Sequence, residues 1–169
     1  MYKNTYKGTY KVKDRSKYKG DPDKVVYRSM WERQVFKWME ANPNVVSWSS
    51  EEVVVPYICA TDSRKHRYFM DVYFMTKTGD EFLIEIKPKK ETLPPVTPKR
   101  KSKRYLQEAM TYIKNQSKWE AATAYAKARG MRFEIWHEDR LKQLGIKLMG
   151  TLPAYPKKKV LHNKTRRKT

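Results

Sequence analysis

Three residues near the middle of the chain have side chains suited to phosphate-ester chemistry: Asp71, Glu85 and Lys87. Asp71 lies in the apolar run Arg67-Tyr68-Phe69-Met70-Asp71-Val72-Tyr73-Phe74, and the other two lie in Leu83-Ile84-Glu85-Ile86-Lys87-Pro88. A Lys77-Thr78-Gly79-Asp80 turn separates the two runs, so the pattern predicts a hairpin. Side chains alternate along a strand, which points Glu85 and Lys87 the same way, roughly 7 Å apart. An aspartate inside so apolar a strand is costly unless it is paired or bound to a metal. A register that brings Asp71 beside Glu85 would offer two carboxylates to Mg²⁺, a cation that takes oxygen ligands and keeps several waters. Such a cation polarises a phosphate and acidifies a bound water. Lys87 would contact that water or the developing negative charge. A lysine with a depressed pKa could also take its proton.

Plainer readings exist for each residue. Glu85-Ile86-Lys87 fits an ordinary ion pair on a solvated strand face, and Asp71 fits a charge that protects a sheet edge. Taken together on one hairpin in a basic chain, the catalytic reading is favoured.

The 169 residues suffice for one domain with its own core. A formal net charge of +20 implies a polyanionic partner, most often nucleic acid. Cys59 is the single cysteine, which excludes an internal disulfide and argues against a thiolate metal site. The histidines, His66, His137 and His162, are not spaced as a zinc site. No run has the length of a membrane span and no apolar leader opens the chain, so a soluble intracellular protein is expected.

The sequence divides into a basic arm over residues 1–22, a domain over 23–150 and a basic tail over 151–169. The arm alternates lysine with tyrosine and is read as mobile, either stacking on bases or fastening to another protein. A first helix is expected from Ser29 to about Ala41, ended by Asn42-Pro43-Asn44. A strand near Val53–Cys59 follows, then the hairpin over about His66–Thr76 and Glu81–Lys87. After a proline- and lysine-rich loop, two helices are expected at Lys103–Asn115 and Lys118–Arg129. The second would be capped by Ser117 and Glu120 and closed by Gly130. A strand at Met131–Trp136 should run parallel to a neighbour, and a short helix is expected over Glu138–Leu144. The expected architecture is a mixed α/β sheet flanked by helices.

Basic residues cluster: nine in residues 1–28, eight in 87–104 and seven in 157–169. The middle cluster follows Lys87 directly. Its Lys89, Lys90, Lys99, Arg100, Lys101, Lys103 and Arg104 are the expected grip on phosphates beside the reacting bond. Binding of this kind weakens steeply with salt and carries little sequence preference.

These residues resemble the PD-(D/E)xK, restriction-endonuclease-like nuclease superfamily. Asp71 matches its metal-binding aspartate, preceded by Met70 in place of proline, and Glu85 with Lys87 matches the (D/E)xK element. Glu32 matches the acid many members carry on the first core helix. The pair Ser29 and Glu32 is equally a helix capping box, and both roles stay open. The order helix, three strands, helix, strand is that of the superfamily core. The arrangement is most similar to TnsA-type nucleases. More narrowly it resembles the head-completion nucleases of T-even-like tailed bacteriophages. The resemblance implies an Mg²⁺-dependent endonuclease, with Mn²⁺ as a substitute, whose ligands are Asp71, Glu85 and Glu32. It implies double-stranded DNA and phage head or portal proteins as partners, with neither membrane nor nucleotide cofactor. The place of action would be the host cytoplasm or the virion. Two other roles for the same fold are a non-catalytic DNA-binding assembly protein and a dimeric junction resolvase.

Overall fold

The computed structural model describes residues 7–148. The elements are β1 (Gly8–Thr9), β2 (Val26–Tyr27), α1 (Met30–Ala41), β3 (Val45–Ser49), β4 (Val54–Cys59), β5 (Arg64–Phe69), β6 (Val72–Thr76), β7 (Glu81–Ile86), α2 (Lys103–Ala128), β8 (Arg132–Trp136) and α3 (Glu138–Gln143). A single 3-10 turn at Lys89–Thr92 interrupts the loop between β7 and α2.

Four strands form the central sheet in the order β3-β6-β7-β8, with β7 and β8 parallel and the other pairs antiparallel. Both faces of β7 are covered, so Leu83 and Ile84 are each fully buried. On one face Val72, Phe74, Ile84, Ile86 and Trp136 pack against Val35, Phe36 and Met39 of α1 and against Leu141 of α3. On the other, Tyr73 and Leu83 pack with β4, β5 and the Trp119, Ala122 and Ala126 face of α2. The mixed α/β sheet with helices on both sides is as expected.

Ser29 starts α1 by accepting from the Glu32 N–H, and Asn42 ends it before Pro43. The turn between β6 and β7 is tied by Thr76 N–H to the Asp80 carbonyl, with Gly79 at φ 84°.

Four expectations need correction. First, Val45–Ser49 is a strand beyond those expected, and it is the sheet neighbour of β6, while the strand expected near Val53–Cys59 is present as β4. The serines of β3 hide its strand pattern. Second, the long strand expected over His66–Thr76 is two strands. β5 pairs with β4 in a separate ribbon, and the chain bends at Met70-Asp71 before β6 enters the sheet. Val72 and Phe74 therefore join one core while Tyr68 and Met70 join the other. Third, Lys103 to Ala128 is one helix of 26 residues. Ser117 does not cap; its hydroxyl donates to the Ile113 carbonyl and accepts from the Ala60 N–H, which lets the helix run on.

Fourth, the described part of the arm is core. Tyr10, Val12 and Tyr18 are buried, and Tyr10 and Tyr18 meet Trp48 edge to face. Trp48 N–H donates to the Lys17 carbonyl and Lys19 N–H donates to the Trp48 carbonyl, so the segment extends the sheet beyond β3. Lys17 Nζ caps the carbonyls of Glu40 and Asn42 at the end of α1. These tyrosines are not free to stack on bases. The basic tail from residue 149 onward lies outside the described residues.

Tyr10 gives a direct check. Its hydroxyl donates to Glu40 Oε2 at 2.5 Å. Tyr10→Phe should lower unfolding stability by about 1–2 kcal/mol through the lost charge-assisted bond. At this chain length each kcal/mol is a Tm change of roughly 2–4 °C. A thermal melt reads it, and an arm outside the core would give no change.

Candidate active site

The expected residues meet where β6 begins and β7 ends. The β6–β7 register pairs Val72 with Ile84, so extending it one residue sets Asp71 opposite Glu85. The Asp71 carboxylate accepts the Ile86 N–H at 2.8 Å. Because the chain bends there, Asp71 takes a backbone donor of β7 from outside the regular ladder. Glu85 is 5% exposed, held between Leu83 and Lys87 on the α2 side of the sheet. Its Oε1 lies 3.4 Å from Lys87 Nζ. The Glu85–Lys87 pair is thus not on a solvated face: the two side chains are 7% and 26% exposed.

Burial holds the Asp71 pKa well above the carboxylate range, and the charges of Glu85 and Glu32 add to the rise. The Ile86 N–H and Lys87 act in the other direction and do not cancel it. Burial alone would lower the Lys87 pKa, but Glu85, Asp71 and Glu91 outweigh it and raise it. Without a metal, Lys87 is therefore a protonated cation in this setting.

Glu32 forms the capping box and also faces the cluster. Its Oε1 accepts from the Ser29 hydroxyl at 2.9 Å and its Oε2 from the Arg28 N–H at 2.7 Å. Burial, first of all, raises its pKa against the lowering effect of those two bonds. The cap and the proximity to Asp71 coexist. The oxygens of Glu32, Asp71 and Glu85 do not all close within 4.8 Å of one another; among the described residues only Cys59, Asp62 and His66 do. Those three lie at the β4–β5 tip, where His66 pairs with Asp62 at 2.8 Å and Cys59 Sγ contacts Thr61 Oγ1 at 3.0 Å.

Sequence reasoning missed two parts of the site. Tyr68 is 3% exposed and donates its hydroxyl to Glu85 Oε2 at 2.6 Å. On an unbroken strand Tyr68 and Asp71 would face opposite ways, and only the bend at Met70-Asp71 turns both toward Glu85. Arg28 is held by Glu51 through bonds of 2.6 and 3.0 Å and lies near Glu32 and Asp71. Glu51 has φ 56°, a left-handed backbone that a glutamate adopts only under constraint. No local pattern announces either feature.

Of the expected phosphate-gripping residues, Lys99, Arg100, Lys101 and Lys103 are exposed beside the start of α2. Lys89 is tied to Asp139 at 2.8 Å, Arg104 to Glu108 at 2.9 Å, and Lys90 borders a cleft against α2.

A divalent cation fits this set. Three carboxylates, Glu85 buried and Asp71 and Glu32 half-buried, act on one another where Lys87 is a cation not held by an outside acid, since Arg28 is bound to Glu51. Burial first, and the charges of Glu85 and Glu32 after it, raise the Asp71 pKa, and a cation bound to the oxygens would relieve both.

The comparisons agree with the fold. Over 146 residues the chain is 47% identical to the head completion nuclease of Enterobacteria phage T4, covering 84% of this chain and 97% of that protein. Residues 42–138, more than half of the chain, match the TnsA-like endonuclease N-terminal family, and Asp71, Glu85 and Lys87 lie inside the match while Glu32 precedes it. On this likeness and the restriction-endonuclease-like sheet that carries the three residues, the chain belongs to the TnsA-like endonuclease family and is a nuclease.

Proposed function

We propose that the protein is a divalent-metal-dependent endonuclease that hydrolyses double-stranded DNA with little sequence preference. Its task would be to process packaged DNA ends during phage head completion, before tail attachment. The single observation that carries the catalytic reading is the half-buried Asp71, beside buried Glu85, with Glu32 near and a charged Lys87 next to them. The head-completion reading rests on the relative of that name. It makes head or portal proteins the partners, and the host cytoplasm or the virion the place of action.

Asp71 and Glu85 would hold the cation, Mg²⁺ or Mn²⁺ in its place, with Glu32 as a third carboxylate from α1. When bound, the cation supplies a Lewis acid for the phosphate and acidifies a water. The protein supplies the rest. Tyr68 fixes the rotamer of Glu85 by occupying Oε2, which leaves Oε1 toward Lys87. The Ile86 N–H fixes Asp71 in the same way. Lys87 keeps its proton and places a positive charge where the phosphoryl oxygens gain negative charge. The exposed lysines of residues 99–103 contact phosphates along the strand without reading bases.

Supercoiled and linear duplex DNA incubated with Mg²⁺ or with EDTA tests this. Nicking and cutting that EDTA abolishes support it. Tight binding without cutting under Mg²⁺ or Mn²⁺ overturns it and leaves a DNA-binding assembly protein. Tyr68→Phe keeps the ring and removes the hydroxyl. It should slow cutting about tenfold, the effect of losing one positioning hydrogen bond of about 1.4 kcal/mol. Unchanged DNA binding would confine the loss to the chemical step.

A further inference from the structure

A cleft of about 560 Å³ opens between the loop after β7 and the first half of α2. Its floor is Asn115, which is 6% exposed and whose side chain makes no hydrogen bond to any described residue. A primary amide buried to this degree ordinarily finds partners in the protein, and among the described residues the only opening to the Asn115 amide is the cleft itself. Here its donors and acceptor are left to whatever enters the cleft. Gln107 brings a second amide from two turns earlier on α2, and Tyr112 brings an aromatic ring. Leu93 and Pro95 supply an apolar wall.

The charges tell which kind of group belongs there. Glu91 and Glu108 balance Lys90 and Arg104 around the cleft, and Arg104 is already paired with Glu108 at 2.9 Å, so the lining carries no net positive charge to draw in a phosphate. Two amides, an aromatic ring and an apolar wall suit a flat, neutral heterocycle with hydrogen-bonding edges. Asn and Gln side chains match the edges of nucleobases in this way.

The cleft adjoins the catalytic residues at two points. Glu91, on its wall, is close enough to Lys87 to act on its charge. Asn115 lies one helical turn before Trp119, which packs in the same core as Tyr68, the partner of Glu85. We infer that this cleft is a nucleobase site: it takes one unpaired base of the DNA strand next to the bond being cut. The inference rests on the nuclease reading for the source of the base. A base still stacked in a duplex cannot enter so recessed a site, so the occupant comes from a frayed end, an overhang or a locally opened strand. The protein would then favour DNA ends and openings by shape while remaining indifferent to sequence.

The test uses the full chain carrying Lys87→Ala, so that DNA is bound and not cut. Duplexes carry a one-nucleotide overhang, 5′ or 3′, that is either 2-aminopurine or an abasic sugar. On at least one overhang the base should bind about tenfold more tightly than the abasic sugar, with a change in 2-aminopurine fluorescence, as expected for one stacked base. Adding Asn115→Ala should erase both differences. Gln107 is exposed, so Gln107→Ala leaves folding intact and should reduce them as well. Equal affinity for base and abasic sugar on both overhangs, with no fluorescence change, overturns the inference. Cleavage by the unmodified chain is measured separately. Cutting without base discrimination leaves the nuclease and removes the cleft site; discrimination without cutting leaves the site and removes the nuclease reading.

Discussion

Lys87→Ala should reduce Mg²⁺-dependent cleavage by about 100-fold or more, the loss that follows removal of one preorganised charge at a reacting centre. DNA binding should stay within about twofold, because Lys87 is one of 38 basic residues and its side chain is only 26% exposed. A purely structural lysine predicts a different pattern. Lys87 offsets the charges of Glu85 and Asp71, so its loss from the metal-free protein leaves two buried carboxylates facing each other. That loss lowers stability without metal and makes the site more attractive to a cation. The variant should therefore bind Mn²⁺ at least as tightly as the parent while cutting far more slowly. Calorimetry with Mn²⁺ and a cleavage time course on the same preparation read both. Lys87→Met, which restores the length of the stem without its charge, should be as slow as Lys87→Ala if charge is what matters. Recovery of cutting by Lys87→Met would assign the residue a packing role and defeat the catalytic one.

The sequence carried the site more clearly than the fold that holds it. Asp71, Glu85 and Lys87 were legible because acids inside an apolar strand pattern are conspicuous, and the Gly79 turn fixed how the two strands meet. The parallel strand β8 followed from its place after a crossover helix. What could not be read depended on contacts between distant segments. The bend at Met70-Asp71 has no glycine or proline to announce it; it exists because β5 pairs with β4 while β6 pairs with β3 and β7. That same bend aims Tyr68 at Glu85, so the missed kink hid the missed residue. Alternating lysine and tyrosine in residues 7–19 looked like a solvated arm, because periodicity cannot report that Trp48 waits to cover Tyr10 and Tyr18. Ser117 has the side chain and spacing of a cap, yet Ala60 across the fold supplies it with a donor and the helix continues.

Asp71→Asn should abolish cleavage and make the metal-free protein more stable, by about 1 kcal/mol, as a half-buried charge facing Glu85 and Glu32 and only partly offset by Lys87 is removed. In a chain of this length that is a Tm rise of roughly 2–4 °C in EDTA. Asparagine can still accept the Ile86 N–H through its amide oxygen, so the change removes charge and little else. The sign follows from the raised Asp71 pKa. The folded, metal-free protein holds the Asp71 proton at pH values where the unfolded chain has released it. Stability from this group is then greatest below the unfolded carboxylate pKa and falls as pH rises through the folded one. Above the folded pKa the charged aspartate opposes folding, and a bound divalent cation would reverse the effect. Unmodified protein should accordingly gain more Tm from Mn²⁺ at neutral pH than at mildly acidic pH, where a proton competes for Asp71. Asp71→Asn should gain little from Mn²⁺ at either pH. Equal Mn²⁺ stabilisation of the variant and the parent would remove Asp71 from the metal site. A site whose metal-free form is strained by its own ligands holds its cation by relieving that strain, which makes the residue that weakens the empty fold the one the reaction depends on.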